Sequence, residues 1–116
     1  MLKNYKKKVP IKKVSPTVTV IICSRNRAGH LQKTLSSLSG IRIPDSYVVD
    51  FLLVDNGSTD ETHRVMERFK SFEIVVRTIR EEQRGLSHAR NRAIRESCGD
   101  VLLFSDDDVR FPYDWI

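Results

Sequence analysis

The chain has 116 residues, 40% hydrophobic and 30% charged, with 20 Lys and Arg against 15 Asp and Glu for a formal charge of +5. This balance is too apolar for a disordered chain and too charged for a membrane-embedded one, and no apolar run approaches the roughly 20 residues of a spanning helix. The length suits one modest domain, or part of a larger one.

The charge is unevenly distributed. Lys3, Lys6, Lys7, Lys8, Lys12 and Lys13 all fall within residues 1–15, which contain no acid. With six of the 20 basic residues in that arm, 14 remain against 15 acids, so the body carries a net charge of −1. The arm has little periodicity, and Pro10 and Pro16 punctuate it, so a flexible basic extension is expected, followed by one domain over residues 16–116. A weak contact with an anionic membrane surface is the partner it suggests. The neutral body argues against specific nucleic-acid binding. Because the arm lacks the apolar stretch of a signal peptide, a cytoplasmic location is expected, peripheral at the inner membrane face at most.

From Thr17 onward, apolar runs alternate with amphipathic ones. Thr17 to Cys23 (TVTVIIC) is rich in β-branched residues and predicts a buried strand. After the polar turn Ser24-Arg25-Asn26-Arg27, Leu31, Leu35 and Leu38 recur at helical spacing, and Gly40 offers a stop. Phe51 to Val54 predicts a second strand ending at Asp55. In Asn56-Gly57-Ser58-Thr59-Asp60, Ser58 or Thr59 is expected to cap a helix whose buried face includes Val65, Met66 and Phe69. Glu73 to Thr78 predicts a third strand, and Leu86, Ala89, Ala93 and Ile94 a third helix ending near Gly99. Val101 to Phe104 is the fourth strand, running into Ser105-Asp106-Asp107-Asp108. Three strand–helix units followed by a strand imply an α/β fold: a mainly parallel sheet with helices on both faces.

In open parallel sheets, ligands bind beyond the carboxyl ends of the strands. Polar clusters occur at three of those ends: Ser24-Arg25-Asn26, Asp55-Asn56-Gly57 and Asp106 to Asp108. Three adjacent carboxylates repel unless a cation neutralises them, and oxygen-only donors suit Mg²⁺ or Mn²⁺. Asp55 is placed where a carboxylate can accept hydrogen bonds from a base or ribose, or else fold its own turn. Arg84, Arg90 and Arg92 are candidates for a diphosphate, with solvated helix charge the competing account of Arg92 and of Arg95.

Other chemistries are poorly supported. No P-loop follows a strand, and no G-x-G-x-x-G follows the first one. A phosphoacceptor site would need acids where Ser24-Arg25-Asn26 stands, and there is no hydrolase elbow. Ser87 and His88 are adjacent on a helix, so their side chains diverge and do not make a nucleophile–base pair. Cys23 and Cys98 form no C-x-x-C pair and are expected to be buried, reduced thiols, and His30, His63 and His88 are scattered.

The segments VTVIICSRNRAGHLQKTLSSL, FLLVDNGSTDET and RGLSHARNRAIRESCGDVLLFSDDDV, in this order, resemble the family 2 glycosyltransferases of the GT-A fold. The resemblance implies a Rossmann-like architecture, a nucleotide-diphosphate sugar donor of the UDP, GDP or dTDP type, and transfer of the sugar to an acceptor hydroxyl, with inversion. It implies that Asp55 contacts the base and that Ser24, Arg25 and Asn26 line the same pocket. Asp106, assisted by Asp107, would approach the ribose and the metal shell, and Asp108 would be the principal ligand of a Mg²⁺ or Mn²⁺ ion. Arg90 and Asn91 match an A-R-N segment near the nucleotide. The family continues beyond the D-x-D loop into an acceptor-binding half that carries the catalytic base, so this sequence reads as the donor half, truncated after that loop. The base is expected downstream of Ile116. The alternative is a nucleotide-binding or interaction module without transferase activity.

Overall fold

The computed structural model describes residues 15–71 and 74–116. Of the basic arm expected over residues 1–15, residues 1–14 lie outside the described residues, as does Glu73, the expected start of the third strand. Strands β1 (Thr17–Ser24), β2 (Val48–Asp55), β3 (Val75–Arg80) and β4 (Val101–Ser105) alternate with helices α1 (Ala28–Leu38), α2 (Thr62–Arg68) and α3 (Leu86–Glu96). The strands form one parallel sheet in the order β3-β2-β1-β4.

The two central strands explain the near-continuous apolar runs in the sequence, because a parallel strand covered on both faces has no wet side. In β2, Phe51, Leu52, Leu53 and Val54 are all fully buried. Each such side chain contributes about 1.5–3 kcal/mol on burial. Alternation of side chains across the sheet divides the core in two. On one face, Val18, Val20 and Ile22 of β1 and Phe51 and Leu53 of β2 pack under Leu31, Leu35 and Leu38 of α1 and Met66 of α2. On the other, Ile21, Leu52 and Val54 meet Ala89 and Ala93 of α3. Two alanines four residues apart give α3 a flat stripe that sits close against the sheet.

Thr19, fully buried in β1, is satisfied by donating its hydroxyl to Asp50 Oδ1 at 2.6 Å. The loop before β4 runs directly over it. A Cβ on Gly99 would lie 2.6 Å from Thr19 Oγ1 and 2.8 Å from its backbone nitrogen, so the close approach requires glycine. Asp100 then accepts from both the backbone N–H and the hydroxyl of Thr17, at 3.1 and 3.0 Å, fixing the entry of β4 beside β1.

Local expectations need three corrections. The third strand runs to Arg80 rather than ending at Thr78, because its pairing with β2 continues to Asp55 opposite Arg80. Helix α2 begins at Thr62, with no side-chain cap from Ser58 or Thr59. The Ser58 hydroxyl is taken by the Asn26 N–H, and Asp60 Oδ1 instead accepts from the Thr62 N–H at 2.8 Å. Of the two thiols expected to be buried, Cys23 is partly buried and Cys98 is exposed. Among the described residues, no helix is long and apolar enough to cross a membrane.

Candidate functional site

The strand order reverses between β1 and β4: β2 and β3 extend to one side of β1, and β4 returns to the other. At such a point the loops leaving the two strands diverge and open a crevice. A cavity of about 770 Å³ lies there. Cys23, Ser24, Arg25 and Arg27 line it from the end of β1, and Phe104 to Val109 from the end of β4. Gly85, Leu86, Ala89 and Arg90, at the start of α3, form a third wall, with Asn56 and Trp115 completing it.

Of the acids at this edge, Asp107 is the most committed. Its Oδ2 accepts the Ser24 hydroxyl at 2.6 Å and its Oδ1 faces Arg27 Nε at 3.0 Å, leaving the side chain 12% exposed. Arg27 also reaches Asp108, with Nη2 3.1 Å from Oδ2, while Asp108 remains half exposed. Asp106 is exposed and turned to the cavity. The loop is held from behind: the buried Thr34 hydroxyl faces the backbone carbonyls of Asp107 and Val109 at 2.9 and 2.8 Å. The Phe111 N–H donates to Ser37 Oγ at 2.9 Å, and the Arg42 N–H to the Tyr113 carbonyl. Helix α1 thus fixes the backbone of the acidic segment while two of its carboxylates face solvent. Among the described residues, no group of three or more His, Cys, Asp or Glu side chains converges as a metal cage. A hard cation here would take one or two carboxylates, Asp106 and Asp108, and complete its shell with water or phosphate oxygens, which is how Mg²⁺ and Mn²⁺ are ordinarily held beside a diphosphate.

Basic groups line the same cavity. Arg25 Nε is buried without a hydrogen-bond partner in the protein, and Arg90 is exposed on the α3 wall. The first turn of α3 presents orphan N–H groups and the positive end of the helix dipole to the same cavity. Gly85 precedes it at φ 125°, a conformation that favours glycine, and its N–H donates to Asn56 Oδ1 at 3.0 Å. Asn56 Nδ2 donates to the carbonyls of Glu81 and Gln83, so this one side chain pins the whole β3–α3 connection. Cys23 also lines the cavity. Burial pushes its thiol up to about 11, with Arg90 opposing, which leaves it a poor nucleophile at neutral pH.

Asp55 sits elsewhere. It is fully buried and does not line the cavity. Oδ1 accepts the Ser58 N–H at 2.9 Å, while Oδ2 lies 2.7 Å from Arg80 Nη1 and 3.0 Å from His63 Nδ1. Its oxygens are engaged in folding the turn, and Asn56 is the residue of that turn on the cavity wall. Asn26 is likewise a loop clamp: at φ 53° its side-chain oxygen accepts from the N–H groups of Thr59 and Asp60. Neither it nor Asn91, exposed on α3, lines the cavity. The structure therefore brings Ser24, Arg25, Arg90, Asp106, Asp107 and Asp108 together and leaves Asp55, Asn26 and Asn91 outside. Asn56 belongs to a strand-end cluster singled out in the sequence, whereas Arg27, His63 and Arg80 were not given a role there. A Ser-Arg-Asn-Arg turn carries the Arg27 signal only weakly, and Arg80 pairs with an acid 25 residues away.

The family model for glycosyl transferase family 2 matches residues 19–116. Among curated proteins, the chain is 35% identical over 102 residues to the glycosyltransferase AglE of Haloferax volcanii, covering 87% of this chain and 33% of that protein. It is 34% identical over 91 residues to the uncharacterized glycosyltransferase YfnE of Bacillus subtilis, covering 78% of this chain and 23% of that one. Among solved structures, the mannosyltransferase PcManGT from Pyrobaculum calidifontis, in complex with GDP-Man and Mn²⁺, aligns with a TM-score of 0.74 at 26% identity. That alignment covers 96% of this chain and 35% of that one. Staphylococcus aureus TarS 1-349 in complex with UDP aligns with a TM-score of 0.74 at 24% identity, covering 84% of this chain and 29% of that one, a likeness of fold. The chain thus spans about a third or less of the length of these relatives.

Proposed function

We propose that this chain, which belongs to glycosyl transferase family 2 and has the parallel Rossmann-like sheet of the GT-A glycosyltransferases, binds a nucleotide-diphosphate sugar in the cavity between β1 and β4. The observation that carries the reading is the composition of that cavity. Arg25 and Arg90 line it together with Asp106, Asp107 and Asp108, and Arg27 is ion-paired with the last two, so the walls are close to neutral as a whole. A diphosphate placed between the guanidiniums and the α3 N-terminus meets two sources of positive potential. The orphaned Arg25 Nε is a donor in want of an acceptor. Asp106 and Asp108 would hold a divalent cation of the Mg²⁺ or Mn²⁺ kind, which would offset the charge developing on the leaving diphosphate.

The residues present do the holding and orienting. Ser24 and Arg27 immobilise Asp107, Thr34 immobilises the backbone behind it, and Asn56 sets the position of the α3 start. Transfer itself, to an acceptor hydroxyl with inversion at the anomeric carbon, requires a base to take the hydroxyl proton. The cavity walls supply no such group: their acids are the three aspartates of the cation-binding edge. The relatives named above are about three or more times as long.

Calorimetric titration with UDP, GDP and dTDP, each with and without Mn²⁺, tests the reading. At least one nucleotide is expected to bind, more tightly with Mn²⁺, and Asp108→Asn is expected to remove the metal-dependent part. A folded sample that binds none of the three, with or without the metal, refutes it.

A further inference from the structure

Among the arginines that line the cavity, Arg27 is the one ion-paired with the acidic loop. It follows Asn26, whose left-handed backbone turns the chain from β1 into α1, and it precedes the first residue of that helix. Its backbone is locked: the N–H donates to the Thr62 hydroxyl at 2.9 Å, and the carbonyl accepts from the Leu31 N–H at 2.9 Å. Its side chain is 41% exposed and forks across two carboxylates, Nε to Asp107 at 3.0 Å and Nη2 to Asp108 at 3.1 Å. The two ends of this fork are not equivalent. Asp107 also accepts the Ser24 hydroxyl and is nearly buried, whereas Asp108 has no other hydrogen-bond partner among the described residues.

Resting on the donor-site reading, we infer that Arg27 is the resident counter-ion of the acidic loop and competes with the divalent cation for Asp108. With the guanidinium in place, the repulsion within the triplet is relieved without metal. A divalent cation at Asp106 and Asp108 meets a positive charge already on Asp108 and must displace it. The half-exposed Asp108 contact is the one that yields, since Asp107 keeps its second partner in Ser24. The released end of the fork stays on the cavity wall, where a diphosphate is the matching acceptor for it. Donor and metal binding are thereby coupled through one side chain: the diphosphate that takes up the guanidinium also frees the carboxylate for the metal. By linkage, the factor by which the nucleotide raises metal affinity equals the factor by which metal raises nucleotide affinity.

The test is Mn²⁺ binding to the full chain, read by the loss of the free-ion electron paramagnetic resonance signal, with Mn²⁺ alone and no nucleotide. Arg27→Gln is expected to bind Mn²⁺ about fivefold more tightly than wild type, since one competing charge at an exposed pair has been removed. Arg27→Lys, which keeps the charge but replaces the fork by a single point donor, is expected to gain about twofold. Thermal melts supply an independent readout. In chelator, Arg27→Gln melts lower than wild type because the triplet is left uncompensated, and Mn²⁺ raises its midpoint by more than it raises the wild-type midpoint. If Arg27→Gln does not fold, the lysine variant carries the same comparison. Unchanged or weaker Mn²⁺ binding in the variants, with wild type binding both Mn²⁺ and nucleotide, overturns this inference alone. A wild-type chain that binds neither overturns the donor-site reading and this inference with it.

Discussion

Replacing Asp55 by alanine separates a residue that folds the site from one that contacts a ligand. The change removes a fully buried carboxylate and orphans three donors at once: the Ser58 N–H at 2.9 Å, Arg80 Nη1 at 2.7 Å and His63 Nδ1 at 3.0 Å. A buried donor left without a partner costs about 1–3 kcal/mol. Stripping one member from a fully buried ion pair costs about 3–5 kcal/mol. Here the second figure has to be discounted, because the Arg80 side chain is 37% exposed and retains Glu82 at 2.6 Å. A net loss of about 3 kcal/mol follows, close to the lower end of the buried-pair range.

With a urea slope of about 1.2 kcal/mol/M for a domain of this size, the unfolding midpoint should fall by about 2.5 M. Asp55→Asn should fall between wild type and alanine. Its amide oxygen still accepts from Ser58, but its NH₂ is turned toward Arg80, a donor facing donors. Circular dichroism at increasing urea measures both. A midpoint shift below about 0.5 M, accompanied by lost nucleotide affinity in native buffer, would show that Asp55 is a ligand contact and that its observed partners contribute little.

Three further perturbations follow from the geometry. Gly99→Ala places a Cβ 2.6 Å from Thr19 Oγ1 and 2.8 Å from Thr19 N, so β4 must shift from β1; a loss of about 1–3 kcal/mol in a urea melt is expected. Backbone and hydroxyl hydrogen bonds from Thr17 hold the Asp100 carboxyl below its ordinary value. The folded chain therefore releases that proton more readily than the unfolded one. The stabilisation is complete above the ordinary carboxylate range and is lost as pH falls through the depressed value, so Asp100→Asn should flatten the fall of thermal midpoint below about pH 4. In thiol titration at neutral pH, the exposed Cys98 should react first and Cys23, held up near 11 by burial, only slowly until the chain is unfolded; equal rates would contradict the packing around Cys23.

The fold was legible where one physical constraint dominates. In β1 and β2, burial on both faces demands uninterrupted apolar, β-branched runs, and TVTVIIC and FLLV carry them. In α1, Leu31, Leu35 and Leu38 recur with the helical period because a single face meets the sheet. Legibility failed where partners come from distant elements. Ser58 and Thr59 have the right chemistry to cap α2, yet Asn26, 32 residues earlier in the chain than Ser58, engages both. Cap preference is a local tendency, and a tertiary hydrogen bond of comparable strength overrides it. The end of β3 was misplaced for a similar reason: Ile79 and Arg80 extend the strand because β2 offers Val54 and Asp55 as register partners.

The acids of the site show why residue type alone could not assign their roles. Asp55, Asp106, Asp107 and Asp108 all follow apolar strands, and the sequence treats them alike. The structure distinguishes them by what already occupies their oxygens. Asp55 and Asp107 have both oxygens engaged, by Ser58, Arg80 and His63 in one case and by Ser24 and Arg27 in the other. Each holds a turn, and each sits where a desolvated carboxylate without such partners would be unstable. Asp106 and Asp108 keep solvent-facing oxygens, and a hard cation can recruit them without breaking the fold. The reason lies in the backbone anchors: Thr34 fixes the carbonyls of residues 107 and 109, so one carboxylate is drawn back toward β1 while its two neighbours stay forward. A D-D-D run thus supplies one structural acid and two more exposed ones, of which Asp108 carries the Arg27 ion pair. The middle residue, held from β1 by the Ser24 hydroxyl, is the support for the pair that flanks it.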